Sequence, residues 1–177
     1  FAKILKYKIE FNYIFLLFMT YSAFIYLSIK IYNKINLHLD KKYFQSNLYY
    51  SLEFKLFMVA SYISIISFIF FSNFFHREVF LICLMPLILK LNDEIKTFPF
   101  KHILILYLVK LIYSFIYSYF NINDSILYID NQRVFSELFL IIISIKSLID
   151  FVLMVMISGL LIYNTKIFYS HFKTKFL

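Results

Sequence analysis

Residues 138–163 read LFLIIISIKSLIDFVLMVMISGLLIY, and this stretch decides the class of protein. A helix that crosses a bilayer needs about 20 mostly apolar residues. This run exceeds that length, with Lys146 and Asp150 as its internal charges. Inside a bilayer every backbone N–H and C=O must find a partner within the segment, so such a run is a helix unless it belongs to a closed barrel. Barrel strands alternate apolar and polar residues over about ten positions. Residues 138–163 show no alternation and are too long. The stretch is a membrane helix.

Three further runs have the same character. Residues 11–29 lie between Glu10 and Lys30, and residues 56–75 between Lys55 and His76. Residues 103–120 carry one internal charge, Lys110. The apolar segment 79–89 contains Pro86 and is shorter; it fits a half-span or a short fifth span. The sequence therefore predicts an all-α polytopic membrane protein with four or five transmembrane helices, forming one domain over 1–177. Lys and Arg concentrate on the side of synthesis. With four spans that rule places both termini there, and with five it places the C-terminus there alone. Lys3, Lys6 and Lys8 ahead of the first run resemble a signal peptide, but the run is too long and no small-residue cleavage site follows. The 30–55 connection mixes polar and apolar residues and reads as a short amphipathic helix on the membrane surface. The 121–136 connection reads as an aqueous loop, and Ser136–Glu137 as a capped helix start.

The composition agrees. Hydrophobic residues make up 62% of the 177 positions and aromatic residues 23%, with 24 Phe and 16 Tyr. A soluble monomer rarely exposes large apolar patches and has no room to bury so many rings. One Gly and one Cys exclude phosphate-cradling glycine loops, disulfide scaffolds and cysteine-based metal sites within the chain. Phe, Tyr, Ile, Leu, Lys and Asn dominate, while Gly, Ala, Arg and Pro are scarce. That is the signature of an AT-biased genome, and a chain this apolar points to an organelle genome. The net charge of +8 is scattered over the segments flanking the spans. Anionic phospholipid, not nucleic acid, is the partner such a distribution implies. Membrane helices approach closely through small residues; with so few, these helices are expected to pack at larger separations.

Chemistry is expected where charge lies inside the spans, because intramembrane charges are expensive and face the protein interior. Lys146 and Asp150 stand four residues apart, one helical turn, close enough to pair. They form either a neutralised pair that anchors the helix or a station on a proton path. Lys110 has no acid on its own helix. It is a proton-exchanging lysine or a structural one, and its pairing with Asp150 would compete with Lys146. His38, His76, His102 and His171 do not face one another within spans, so no haem or metal is expected, and Cys83 reads as an inert thiol. The hydroxyls of Tyr21, Tyr26 and Tyr62 need partners if they face protein.

As a whole the chain is similar to the mitochondrially encoded respiratory subunits of protists with AT-rich, fast-diverging mitochondrial genomes. Within that set, Lys96–Thr97–Phe98–Pro99–Phe100–Lys101–His102 looks like a loose version of the Lys-x-x-x-Pro-Phe-His loop of antiporter-like subunits in the membrane arm of NADH:ubiquinone oxidoreductase (complex I). The resemblance implies a divergent, shortened subunit 2-like or subunit 6-like protein of the mitochondrial inner membrane. It has no cofactor or active site of its own, has many partner subunits, and carries Lys110, Lys146 and Asp150 on a polar axis. The glycine-bearing third span of subunit 6 has no counterpart here. The alternative is a structural membrane subunit of ATP synthase or cytochrome oxidase, in which the same charges only lock helices together.

Overall fold

The computed structural model describes the backbone over 2–38, 51–69, 74–95, 98–123, 126–129, 132–135 and 137–176, and side-chain surroundings mainly over 15–37, 51–69, 80–93, 98–116 and 141–169. Among the described residues there are five helices: α1 (Ala2–His38), α2 (Leu52–Ile69), α3 (Phe74–Ile95), α4 (Phe100–Asn123) and α5 (Glu137–Phe176). Three segments are long and apolar enough to cross a membrane: Phe15–Leu37, Leu52–Ile69 and Ser144–Tyr169. The protein is a polytopic membrane protein whose candidate membrane-crossing segments are helices.

Several boundaries differ from the sequence reading. α1 has 37 residues and α5 has 40, or about 55–60 Å at 1.5 Å per residue, roughly twice the hydrocarbon core of a bilayer. α1 runs past Lys30 to His38, so the first part of the 30–55 connection continues the span; residues 39–50 lie outside the described residues. Residues 79–89 are the middle of the unbroken 22-residue α3, which passes through Pro86. By length α3 could cross a membrane, but it carries Arg77, Glu78, Lys90, Asp93 and Glu94 and is not among the three segments apolar enough to do so. The 121–136 connection is not simply an aqueous loop. α4 continues to Asn123, and β1 (Ile126–Ile129) pairs antiparallel with β2 (Gln132–Phe135), Leu127 opposite Val134 and Tyr128 opposite Arg133. β-branched and aromatic runs separated by two residues favour such a hairpin. α5 does start at Glu137, while its expected cap, Ser136, lies outside the described residues.

Helical periodicity selects the packing faces. On α3, Leu81, Leu84, Ile88 and Leu91 recur at three- and four-residue steps and are fully buried. They share a core cluster with Phe54, Phe57 and Ala60 of α2, the helix that α3 packs against. Ser51 begins α2 by accepting the backbone N–H of Phe54 on its hydroxyl at 3.2 Å, which satisfies one of the free donors of the first turn. Tyr21 donates to the carbonyl of Ile69 at 2.6 Å, joining α1 to the end of α2.

α5 is the hub, packed against α1, α2 and α4. The rings of Phe24, Phe68 and Phe151 lie 5.6–6.3 Å apart, bringing α1, α2 and α5 together at one level. Further along, Tyr62 of α2 meets Thr165 of α5, and Lys166 of α5 meets Tyr32 of α1. Hence α1 runs parallel to α5 and α2 runs antiparallel to both. Lys34 of α1 sits 4.5 Å from the centre of the Phe98 ring, just before α4. α4 therefore begins at the end of the bundle where α5 finishes, and the two are antiparallel.

The expectation of wide separations fails where α1 crosses α5. A Cβ on Gly159 would stand 2.6 Å from Ile31 Cγ2 and 3.1 Å from the Ser28 carbonyl oxygen. The single glycine of the chain stands where α1 comes so close that a side chain there would force Ile31 to shift. Large residues fill the other contacts, but this crossing obeys the small-residue rule of membrane helices.

Candidate functional site

The bundle brings two of the three intramembrane charges into contact. Lys110 Nζ of α4 lies 3.0 Å from Asp150 Oδ1 of α5, with side chains only 2% and 6% exposed. Of the two pairings open to Asp150 from sequence, this interhelical one is directly visible. It is an ion pair by distance, yet Oδ1 receives no aligned hydrogen bond. Lys146 stands one turn before Asp150 on α5 and is also buried. In an antiparallel pair, the turn after Lys110 meets the turn before Asp150. Ser114 of α4 therefore stands at the level of Lys146. Its buried hydroxyl has no hydrogen-bond partner. Lys110 and Asp150 thus meet between α4 and α5, and the helical period puts Ser114 and Lys146 one turn away on the same helix faces.

A buried pair of this kind costs desolvation that its mutual attraction offsets only in good geometry. Breaking it by removing one partner is far more costly than replacing both. Chemically, the seam can hold a charge, exchange a proton between carboxylate and ammonium, or fasten two helices. Asp150 lies twelve residues inside the apolar run that begins at Leu138, about 18 Å along the helix.

Other residues singled out in the sequence lie apart from this seam. His102 is exposed at the start of α4 and meets the Phe98 ring edge-on at 5.3 Å. It is eight residues from Lys110, about 12 Å along the helix. The proline loop containing it belongs to the α3–α4 turn, with Phe98–Pro99 in cis; Lys96 and Thr97 lie outside the described residues. So do the side chains of His38, His76 and His171. Cys83 is a half-buried free thiol. Among the described residues, no three of His, Cys, Asp and Glu converge as a metal site.

Asn164 escaped the sequence reading. It is fully buried, and neither its amide nitrogen nor its oxygen has a hydrogen-bond partner. Ending the span at Tyr163 placed Asn164 outside it; the continuation of α5 to Phe176 places it within. The extended hydropathy of Ser144–Tyr169 was the signal that could have found it.

The fold and its buried charges define the class: a multispan helical membrane protein with a charged seam between two helices. No protein-family model matches the chain, and no curated protein or solved structure shows significant similarity to it.

Proposed function

We propose that the chain is a multi-pass inner-membrane subunit of a mitochondrial respiratory complex, and within that class a subunit of the proton-translocating membrane arm of NADH:ubiquinone oxidoreductase. The observation that carries this reading is the buried Lys110–Asp150 pair with Lys146 one turn away. Intramembrane ionisable residues are costly and mark ion or proton pathways in helical membrane proteins. The exposed apolar residues of α1, such as Phe15, Leu16 and Phe18, suit contact with lipid or with neighbouring subunits. In this reading the redox cofactors belong to other subunits. Lys110, Lys146 and Asp150 pass or hold a charge along the polar axis.

The 3.0 Å pairing itself favours a second reading. It neutralises Asp150 within the chain, as suits a structural subunit of ATP synthase or cytochrome oxidase. Gentle solubilisation of native membranes, native-gel separation and mass spectrometry separate the two. Co-migration with NADH dehydrogenase activity is expected. Co-migration with ATPase or oxidase activity supports the structural alternative, and migration as a free monomer rejects both. Within an assembled complex, Asp150→Asn is expected to lower protons moved per electron while leaving assembly intact. Unchanged pumping would reduce the pair to a helix lock.

A further inference from the structure

A groove of about 460 Å³ opens between α2 and α5, lined by Tyr62, Leu161, Ile162, Thr165, Lys166 and Tyr169. Its volume falls within the range of small-molecule sites. The lower wall, Leu161 and Ile162, points toward the middle of the apolar part of α5. The rim is polar. The Tyr62 hydroxyl meets Thr165 Oγ1 at 3.3 Å, and Lys166 Nζ donates to the Tyr32 hydroxyl at 2.6 Å. Lys166 is followed within nine residues by Ser170, His171, Lys173 and Lys175, so it stands close to where the apolar run of that helix gives way to polar sequence. Tyr and Lys at this depth are the usual interfacial anchors of membrane helices.

Charge selects the occupant. The same end of the bundle carries the exposed Lys30, Lys34, Lys55, Lys90 and Lys101 in addition to Lys166. Against them stand Glu53 and Asp93 among the described residues of that end. Tyr32 holds Lys166 in place with one hydrogen bond, and an ammonium has three donors. An apolar trench that runs into the bilayer beneath a fixed cation matches one molecule with a hydrocarbon tail and an anionic head. Basic pockets between membrane helices recognise anionic headgroups on the same principle.

We propose that this groove is a binding site for an anionic phospholipid, with an acyl chain along Leu161 and Ile162 and the phosphate on Lys166. The site requires only that the chain is embedded in a membrane, and it stands whether or not the chain joins a respiratory complex. The test is native mass spectrometry of the purified chain in mild detergent, offered equal amounts of phosphatidylglycerol and phosphatidylcholine with identical tails. The wild type is expected to retain phosphatidylglycerol preferentially. Lys166→Gln should cut that preference about five-fold, the factor one lysine contributes near an anionic surface, and Lys166→Arg should keep it. Ile162→Trp, which fills the trench, should lower retention of both lipids. Equal retention of the two lipids by the wild type would overturn the proposal. So would an unchanged preference in Lys166→Gln, or an equal loss in Lys173→Gln, which would mean diffuse charge attraction. Release of phosphatidylglycerol by inorganic phosphate alone would show that the phosphate group, not the lipid, is the ligand, and would also overturn it.

Discussion

α1 and α5 look alike on paper and behave oppositely in the fold. Both are very long apolar helices, and each contains a segment able to cross a membrane. Yet 61% of an 18-residue stretch within Ser144–Tyr169 is buried in the bundle, against 11% of one within Phe15–Leu37. The reason lies in what a bilayer rewards. Lipid tails are as apolar as Leu, so apolarity alone does not drive one helix against another. Close packing and polar contacts do. α5 owns the chain's one glycine and the buried Lys146, Asp150 and Asn164. α1 contributes a narrow contact stripe of Phe24, Ser28, Ile31 and Ile35 and turns the rest outward.

The largest expected effect comes from the charged seam of α5. Asp150→Ala removes the carboxylate beside buried Lys110 and should cost about 3–5 kcal/mol, the usual penalty for halving a buried pair. Thermal unfolding of the detergent-solubilised chain reads this. Replacing both partners with Leu should recover most of the loss, and a double variant as unstable as Asp150→Ala would show that the pair is not the lock of this seam.

Equal truncations on the two helices come next. Leu160 is fully buried, and Leu160→Ala should cost about 2–5 kcal/mol through the cavity it leaves. Leu16 is 64% exposed, and Leu16→Ala should stay within about 0.5 kcal/mol. Equal losses at the two positions would break the distinction between hub and outer helix. They would also mean that α1 is covered in the folded monomer. The smaller effect is at the crossing itself. Gly159→Ala places a methyl against Ile31 and should cost about 1–3 kcal/mol by overpacking. Ile31→Ala in that background should restore part of it, because the Ser28 carbonyl remains close. A neutral Gly159→Ala would mean that α1 rides on α5 loosely.

Much of the fold was legible in the sequence because its signals are local. Runs around Phe24, Phe57, Leu108 and Leu153 announce helices by length and hydropathy alone, since a backbone in lipid has no other way to satisfy itself. Helix ends were less legible. Nothing in the chemistry of Lys30 stops a helix whose next turns are Ile31, Tyr32 and Ile35, and Pro86 does not end a helix whose neighbouring Leu84, Leu87 and Ile88 are buried. The hairpin at 126–135 was hidden by the Asn and Asp residues around it, which read as solvent before they read as turn.

The candidate site divides in the same way. That Lys110, Lys146 and Asp150 are the costly residues follows from their types and their positions within apolar runs. Which lysine meets Asp150 does not, because Lys146 is offered by the 3.6-residue helical period and Lys110 only by a neighbouring helix. Ser114 joins the seam and Lys166 rims the groove for the same reason.

Sequence alone determined that this protein is a helical membrane protein and which of its charges lie within apolar helices. Both follow from transfer energies, which each residue carries with it. Tertiary structure decided that α5 is the centre, that Gly159 faces Ile31 where α1 crosses α5, and that Asp150 pairs across to α4. These depend on which helix faces meet. Helix faces in a bilayer are chosen by packing and polar complementarity among residues far apart in the chain, and hydropathy is blind to both.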